Sequence, residues 1–180
     1  MRINVAPIRF ANSELTKRVV ETLGRVFRFP VDTAALELDL DAAFSKERNQ
    51  YYSTKLIADA LGKTGDLEGK VLMLVDFDLY VPVFTFLFGE AQLEGKHSIV
   101  SVCRLHEEFY TGKTDDEALF QRTMKEALHE LGHNFGLVHC KDWNCVMHTS
   151  RGVEEIDVKG AYYCDRCAER VPGFVKSAAV

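Results

Sequence analysis

A chain of 180 residues is the size of one domain with room for a small appended lobe. At 47% hydrophobic and 11% aromatic it can build a packed core, which sets it apart from a disordered chain. A formal net charge of -5 argues against a general nucleic-acid binder, and no apolar run approaches the ~20 residues that span a bilayer.

The opening "MRINVAPIRF" is broken by Pro7 and Arg9 and reads as a first strand over residues 2–9 rather than a signal peptide, so a cytoplasmic protein is expected. In "NSELTKRVVETLGRVF", Leu15, Val19, Leu23 and Phe27 share one helical stripe, with Asn12 or Ser13 as N-cap. After Pro30, "VDTAALELDL" reads as an extended segment or strand. "KERNQYYSTKLIADALGKT" reads as a second helix, ended by Gly62 or Gly65.

Three apolar strands follow in "GKVLMLVDFDLY", "VFTFLFGEAQ" and "HSIVSVCRL". Beyond the loop "TGKTDD", "EALFQRTMKEALHELGHNFG" is a long helix with acidic residues in its first turn, where the helix dipole favours them. The two Gly-Lys-Thr triplets lack the preceding glycine of a phosphate loop. The tail is rich in cysteine, glycine and charge, with one short helix expected after Cys164. This order predicts an α+β or α/β layered fold with the sheet on one side. Its mixed, twisted sheet has about five strands, packed by two helices and the long third. A division falls between 1–136 and 137–180, within one compact domain.

The long helix ends in "HELGHNFGLVHC", which holds three of the six histidines. Residues four apart lie on nearly one helical face and ~6 Å along the axis, so His129 and His133 can grip one ion from consecutive turns. Imidazole suits zinc. Glu130 then projects beside the metal, placed to take a proton from the attacking water. His139 would sit ~9 Å beyond His133 if the helix continued. Gly136 can adopt the left-handed conformation that ends a helix and turns the chain back, bringing His139 to the same ion. Three nitrogens leave a fourth position open, as in a catalytic zinc site. The competing reading, polar surface residues with Gly136 as a plain helix stop, accounts for "HExxH" alone better than for the extended pattern.

The extended motif resembles the metzincin clan of zinc peptidases, which places a methionine turn beneath the zinc; here "CVMHTS" offers Met147. With the cysteines included, "HELGHNFGLVHCKDWNCVM…CDRC" is similar to the archaemetzincins, over His129–Cys167. The span from the methionine to the last cysteine pair is about one residue shorter here, in a loop that tolerates deletion. The resemblance implies a metzincin-like α+β fold, peptide hydrolysis, and short substrates or free N-termini.

Cys140 and Cys145 are separated by four residues, Cys164 and Cys167 by two, a layout that suits a closed tetrahedral site. Such a site is structural and replaces the core that this tail cannot build. Disulfides in an oxidising compartment, or a redox pair, are the alternatives. Because Cys140 follows His139 and Cys145 lies two before Met147, a metal here would brace the segment lining the first one.

Other residues are weaker candidates. Tyr162 or Tyr163 could place a hydroxyl near the reacting carbonyl, or pack against the cysteine site. His148 reads as a spectator, Cys103 as a buried strand thiol, and His97 and His106 as surface or cross-strand residues. Gly89 and Ala91, two apart and small, mark "FLFGEAQ" as the edge strand along which a peptide could add, unless Gly89 only forms a bulge.

The reading is therefore a zinc metallopeptidase, monomeric, with two Zn2+ per chain, Glu130 as general base and a peptide as substrate. It involves neither nucleic acid nor membrane. Neither aminopeptidase nor endopeptidase action is selected by these residues. The alternative is a zinc-binding protein whose site is vestigial or closed and which acts through partners.

Overall fold

The computed structural model describes residues 1–176. In chain order the elements are β1 (Ile3–Ile8), α1 (Ser13–Phe27), β2 (Val31–Thr33), α2 (Leu40–Ala43), β3 (Phe44–Ser45), β4 (Gln50–Tyr52) and α3 (Ser53–Lys63). They continue with β5 (Lys70–Val75), β6 (Leu79–Tyr80), β7 (Gly89–Ala91), β8 (His97–Ser101), α4 (Glu108–Thr111), α5 (Asp116–Asn134), α6 (Val153–Val158) and α7 (Asp165–Ala168).

The main sheet has the order β2-β1-β5-β8-β7, and a smaller sheet has the order β3-β4-β6. β2, β1, β5 and β8 run parallel, while β7 is antiparallel to β8 at one edge. Side chains alternate across the sheet. Ile3, Val5, Leu72, Leu74 and Val100 face α1 and α5, whereas Ala6, Ile8, Val71, Met73, Val75 and Ile99 face α3. Strands buried on both faces read as continuous apolar runs, which is why "KVLMLV" lacks a polar alternation. Helices thus cover both faces of the sheet, and the expectation of a sheet on one side is corrected.

α1 forms as its pattern predicts. The Asn12 side chain accepts from the Leu15 N–H at 2.9 Å, and Leu15, Val19, Leu23 and Phe27 are buried. α3 starts seven residues later than predicted, because Asn49 has φ 52° and Gln50–Tyr52 pairs with its neighbours as β4. That helix ends at Thr64, so neither Gly62 nor Gly65 caps it. Of "VFTFLFGEAQ", only Gly89–Ala91 is a strand; in residues 83–88 the pairing does not extend to a continuous ladder, Leu87 making a single bridge to Leu79. The small second sheet and α6 were not foreseen; both rest on short segments without a full period of pattern. The predicted short helix after Cys164 is α7.

Gly136, the expected division, has φ 87°. Buried apolar residues on both sides of it belong to one cluster, which runs from Ile3 through α5 to Met147, Tyr163 and Val171.

Candidate metal centres and cleft

α5 is the element on which the site is built. Asp115 caps it by accepting from the Ala118 N–H at 2.9 Å, with Asp116 and Glu117 in the first turn. Leu119, Met124, Ala127, Leu128 and Leu131 anchor it in the core. Its opposite stripe carries Glu126, His129, Glu130 and His133 into a cleft of about 970 Å³.

The helix stops as the sequence predicts. The Gly136 N–H donates to His133 O at 2.9 Å and the Leu137 N–H to Gly132 O at 2.9 Å, with Gly136 in the left-handed region. The reversal carries His139 back, and its ring centroid lies 5.3 Å from that of His129 and 5.0 Å from that of His133. One ring nitrogen of each of the three lies within 4.8 Å of the others.

Two contacts orient these rings. His129 Nδ1 is 2.8 Å from Val146 O, and His133 Nδ1 is 2.8 Å from Leu137 O. A carbonyl oxygen only accepts, so each Nδ1 carries the proton and each Nε2 presents a lone pair. The two Nε2 atoms face each other at 3.1 Å. Two lone pairs that close repel unless a cation lies between them. For a tetrahedral zinc with Zn–N of 2.0–2.1 Å, the N–N edge would be ~3.3–3.4 Å, so the donor set fits. Burial lowers the pKa of all three imidazoles, which keeps them neutral as ligands must be.

Glu130 is buried. Burial, and Glu126 one turn away, push its carboxyl well above the ordinary range, while Lys159 pulls it back. Gly89 makes room for it: a Cβ there would meet Glu130 Oε1 at 2.6 Å and Cγ at 2.7 Å. The glycine is needed on its helix-facing side, and not merely to clear a path for a ligand as the sequence suggested. Gly132 does the same beneath the helix, where a Cβ would run into the Met147 sulfur and meet Tyr163 Cε1 at 3.0 Å. Met147 is fully buried against Gly132.

β7 lies at the sheet edge, as the small residues suggested. Ser101 N donates to Phe88 O at 2.8 Å and Gln92 N to His97 O at 3.0 Å. Bonded pairs alternate along an antiparallel ladder, so the N–H and C=O groups of Gly89 and Ala91 point away from β8. On the other face of β7, Glu90 accepts from the Ser53 and Thr54 hydroxyls at the start of α3, which fixes the strand.

The four cysteine sulfurs also lie within 4.8 Å of one another. Cys140 Sγ and Cys164 Sγ are 3.9 Å apart, close to the ~3.8 Å edge of a tetrahedron with Zn–S of 2.3 Å. Burial opposes ionisation of Cys140, but the Asp142 backbone and the Arg166 guanidinium bring its thiol down to about 7. Burial holds Cys145 up at about 11. An adjoining bond ties this site to the first: Cys140 N donates to Met147 O at 2.9 Å.

The tyrosines are elsewhere. Tyr163 is fully buried and its hydroxyl donates to Leu128 O at 2.5 Å, inside the core. Tyr162 packs by Gly160 and under Lys176, outside the cleft. Neither tyrosine lines the cleft, and Tyr163 lies close enough to Cys145 and Cys167 to feel their charge, the alternative in which it packs against the cysteine site. His148 stacks on Trp143 with centroids 4.1 Å apart and contacts Cys140 O through Nδ1 at 3.0 Å, so it braces the turn.

His97 is fully buried between Thr64 Oγ1 (2.6 Å) and Gln92 Oε1 (3.0 Å), and His106 sits 3.4 Å from Asp76. Cys103 is half-buried in the turn after β8, its thiol raised to about 11 by burial first and then by Asp78 and Asp76. Sequence reasoning missed Glu126, Ser150, Arg151 and Lys159, all in the cleft wall. Glu126 carried a signal, standing one turn before Glu130 on the same face.

The model of Peptidase family M54 matches residues 28–172. The chain belongs to this family. The archaemetzincin of Methanocaldococcus jannaschii is 34% identical over 95% of this chain and 93% of its own length. The crystal structure of archaemetzincin from Archaeoglobus fulgidus, complexed with malonate, superposes with a TM-score of 0.81 at 32% identity, covering 95% of this chain and all of that one. A zinc-dependent peptidase from Methanocorpusculum labreanum gives 0.83 at 31% identity, covering 94% and 99%. This M54 chain is a zinc metallopeptidase, and the expected resemblance to archaemetzincins is borne out. Among the described residues no helix is long and apolar enough to cross a membrane.

Proposed function

We propose that His129, His133 and His139 hold the catalytic zinc, that Glu130 is the general base, and that Cys140, Cys145, Cys164 and Cys167 hold a second, structural zinc. The facing Nε2 lone pairs of His129 and His133, 3.1 Å apart with both Nδ1 protons committed to carbonyls, carry this reading. Zinc supplies Lewis acidity, lowering the pKa of water and polarising the scissile carbonyl. Glu130, confined by Gly89, takes the proton of the attacking water and passes it to the leaving amine. The peptide adds antiparallel or parallel to β7, bonding to the outward N–H and C=O groups of Gly89 and Ala91. Met147 and the cysteine site position His139 from below.

The volume of the cleft and the exposure of His139 support an open, working site over a vestigial or closed one. The protein acts as a monomer in the reducing cytoplasm, where clustered thiols remain available to metal, and nucleic acid and membrane play no part. Residues 1–136 form the sheet and active-site helix; of the second unit, 137–180, the described residues 137–176 form the lobe that completes the site, and 177–180 lie outside the described residues. The test is hydrolysis of a broad peptide library by the purified protein beside a Glu130→Gln control, with metal analysis. Activity lost in the control and about two zinc ions per chain support the reading. Equal activity in the control, or one zinc per chain, would remove the base or one of the sites.

A further inference from the structure

The cleft extends along α5 past the imidazoles and ends at a buried ion pair. Lys159 Nζ donates to Glu126 Oε1 at 2.9 Å, and the two side chains are only 1% and 5% exposed. Both line the cleft, as do Ser150 and Arg151. Glu126 stands one helical turn, ~6 Å, before Glu130. That is the reach of one extended side chain from a residue whose carbonyl lies at the base.

Two donors at this end have hydrogen-bonding capacity that the protein does not fill. An ammonium has three N–H groups. Those of Lys159 meet Glu126 and, at the long distance of 3.5 Å, His148 O, which leaves donor capacity unspent. Ser150 Oγ is buried with no hydrogen-bond partner among the described residues. The charged side chains lining this end are Lys159 and Arg151, with Glu126 paired to Lys159 and Glu130 one turn along α5. A buried donor without an acceptor is costly, so such a pocket rejects an apolar occupant and rewards an anionic one.

We propose that Lys159, with Ser150, makes this end of the cleft a subsite for a carboxylate of the peptide beside the scissile bond. It comes either from an aspartate or glutamate side chain or from the C-terminus. Glu126 acts as the counter-charge that keeps the ammonium buried and aligned. The proposal rests on the peptidase reading for the location of the scissile bond, but the preference itself is one of binding.

The experiment measures affinity in zinc-loaded, full-length Glu130→Gln protein, where turnover cannot interfere. The probes are acetyl-pentaalanine amides with one glutamate walked through each position, a matching leucine series, and acetyl-pentaalanine with a free C-terminus. Glutamate at one position should bind about ten- to a hundredfold more tightly than leucine there, the worth of a hydrogen bond to a charged group. If the free-terminus peptide gains this factor instead, the carboxylate is that of the chain end. Adding Lys159→Met should erase the gain. Should that variant fold poorly because it strands Glu126, the double change Lys159→Met with Glu126→Gln removes both charges and carries the test. Equal affinities across all probes, or a gain that survives loss of Lys159, would overturn the subsite. Hydrolysis by the parent protein without any acidic preference sinks this inference alone. A preference in binding with no hydrolysis sinks the peptidase reading alone.

Discussion

Replacing Gly89 with alanine tests whether this position exists to accommodate Glu130, the proposed general base. The new Cβ would lie 2.6 and 2.7 Å from Glu130 Oε1 and Cγ and 2.8 Å from Ile99 O, about 0.6–0.8 Å short of ordinary contact. Ile99 O belongs to β8, which is paired on both sides, and cannot retreat. The Glu130 side chain must therefore move, and the edge strand β7 must shift slightly to clear Ile99 O. A catalytic group displaced by ~1 Å costs on the order of 10²-fold in rate, and overpacking costs ~1–3 kcal/mol of stability. Steady-state kinetics on a peptide the parent cleaves should show kcat reduced about a hundredfold, with KM little changed and zinc content unaltered. Ala91→Phe should instead raise KM, since position 91 borders the cleft farther from Glu130. A Gly89→Ala enzyme with parental kcat and elevated KM would refute this account and return Gly89 to a role in clearing space for the peptide.

Cys164→Ser should lower bound zinc from about two to one per chain, reduce the thermal midpoint, and weaken activity through loss of the brace on His139 and Met147; unchanged metal content would contradict a four-cysteine site. Tyr163→Phe removes the bond to Leu128 O and should cost ~1 kcal/mol with kcat nearly unchanged, whereas a hundredfold loss of kcat at intact stability would restore Tyr163 to the chemistry. In chelator-treated Glu130→Gln protein, stability should rise as pH increases from about 4.5 to 6.5. Burial depresses the pKa of His129, His133 and His139, so the unfolded chain binds more protons in that window. The glutamine removes the one carboxyl of the site whose raised pKa acts in the opposite sense. His106, raised by its contact with Asp76, adds slope only above 6.5. A flat or falling urea midpoint across the window would show that the three rings are not held neutral.

The convergence of His129, His133 and His139 was legible in the sequence, for a physical reason. Ligand spacing is a local property: one helical turn relates His129 to His133, and a positive-φ glycine relates both to His139, so twelve consecutive residues specify the geometry. Long periodic segments were legible for the same reason, as α1 and α5 show. "VFTFLFGEAQ" was not, because a strand exists only where a neighbour completes its ladder, and only Gly89–Ala91 has one. "KERNQYYST" misled because its helical pattern gives way to the left-handed Asn49 and to pairing with β6, a partner some thirty residues away. Lys159 carried no local signal whatever. Its role depends on meeting Glu126 across 33 residues, and nothing in "DVKGAY" announces a cleft.

The supports of the metal centre show why so much of the C-terminal lobe is needed to hold three histidines. Each bond that orients a ligand comes from a segment that would be loose on its own: Val146 O for His129, Leu137 O for His133, and Met147 O for the residue after His139. Those carbonyls stay in place because Val146 N donates to Tyr162 O at 2.8 Å, Arg170 donates to Gly136 O at 2.9 Å, and Met147 fills the space that Gly132 leaves under the helix. The cysteine cluster closes this chain of supports at both ends of the turn. A metal ligand is only as well positioned as the atom behind it. In this protein the atoms behind the imidazoles are backbone carbonyls of a short C-terminal segment that is anchored by Val146, Met147, Ile156 and Tyr163 in the main core, and on the proposed reading a metal held by the four thiols would add a second anchor.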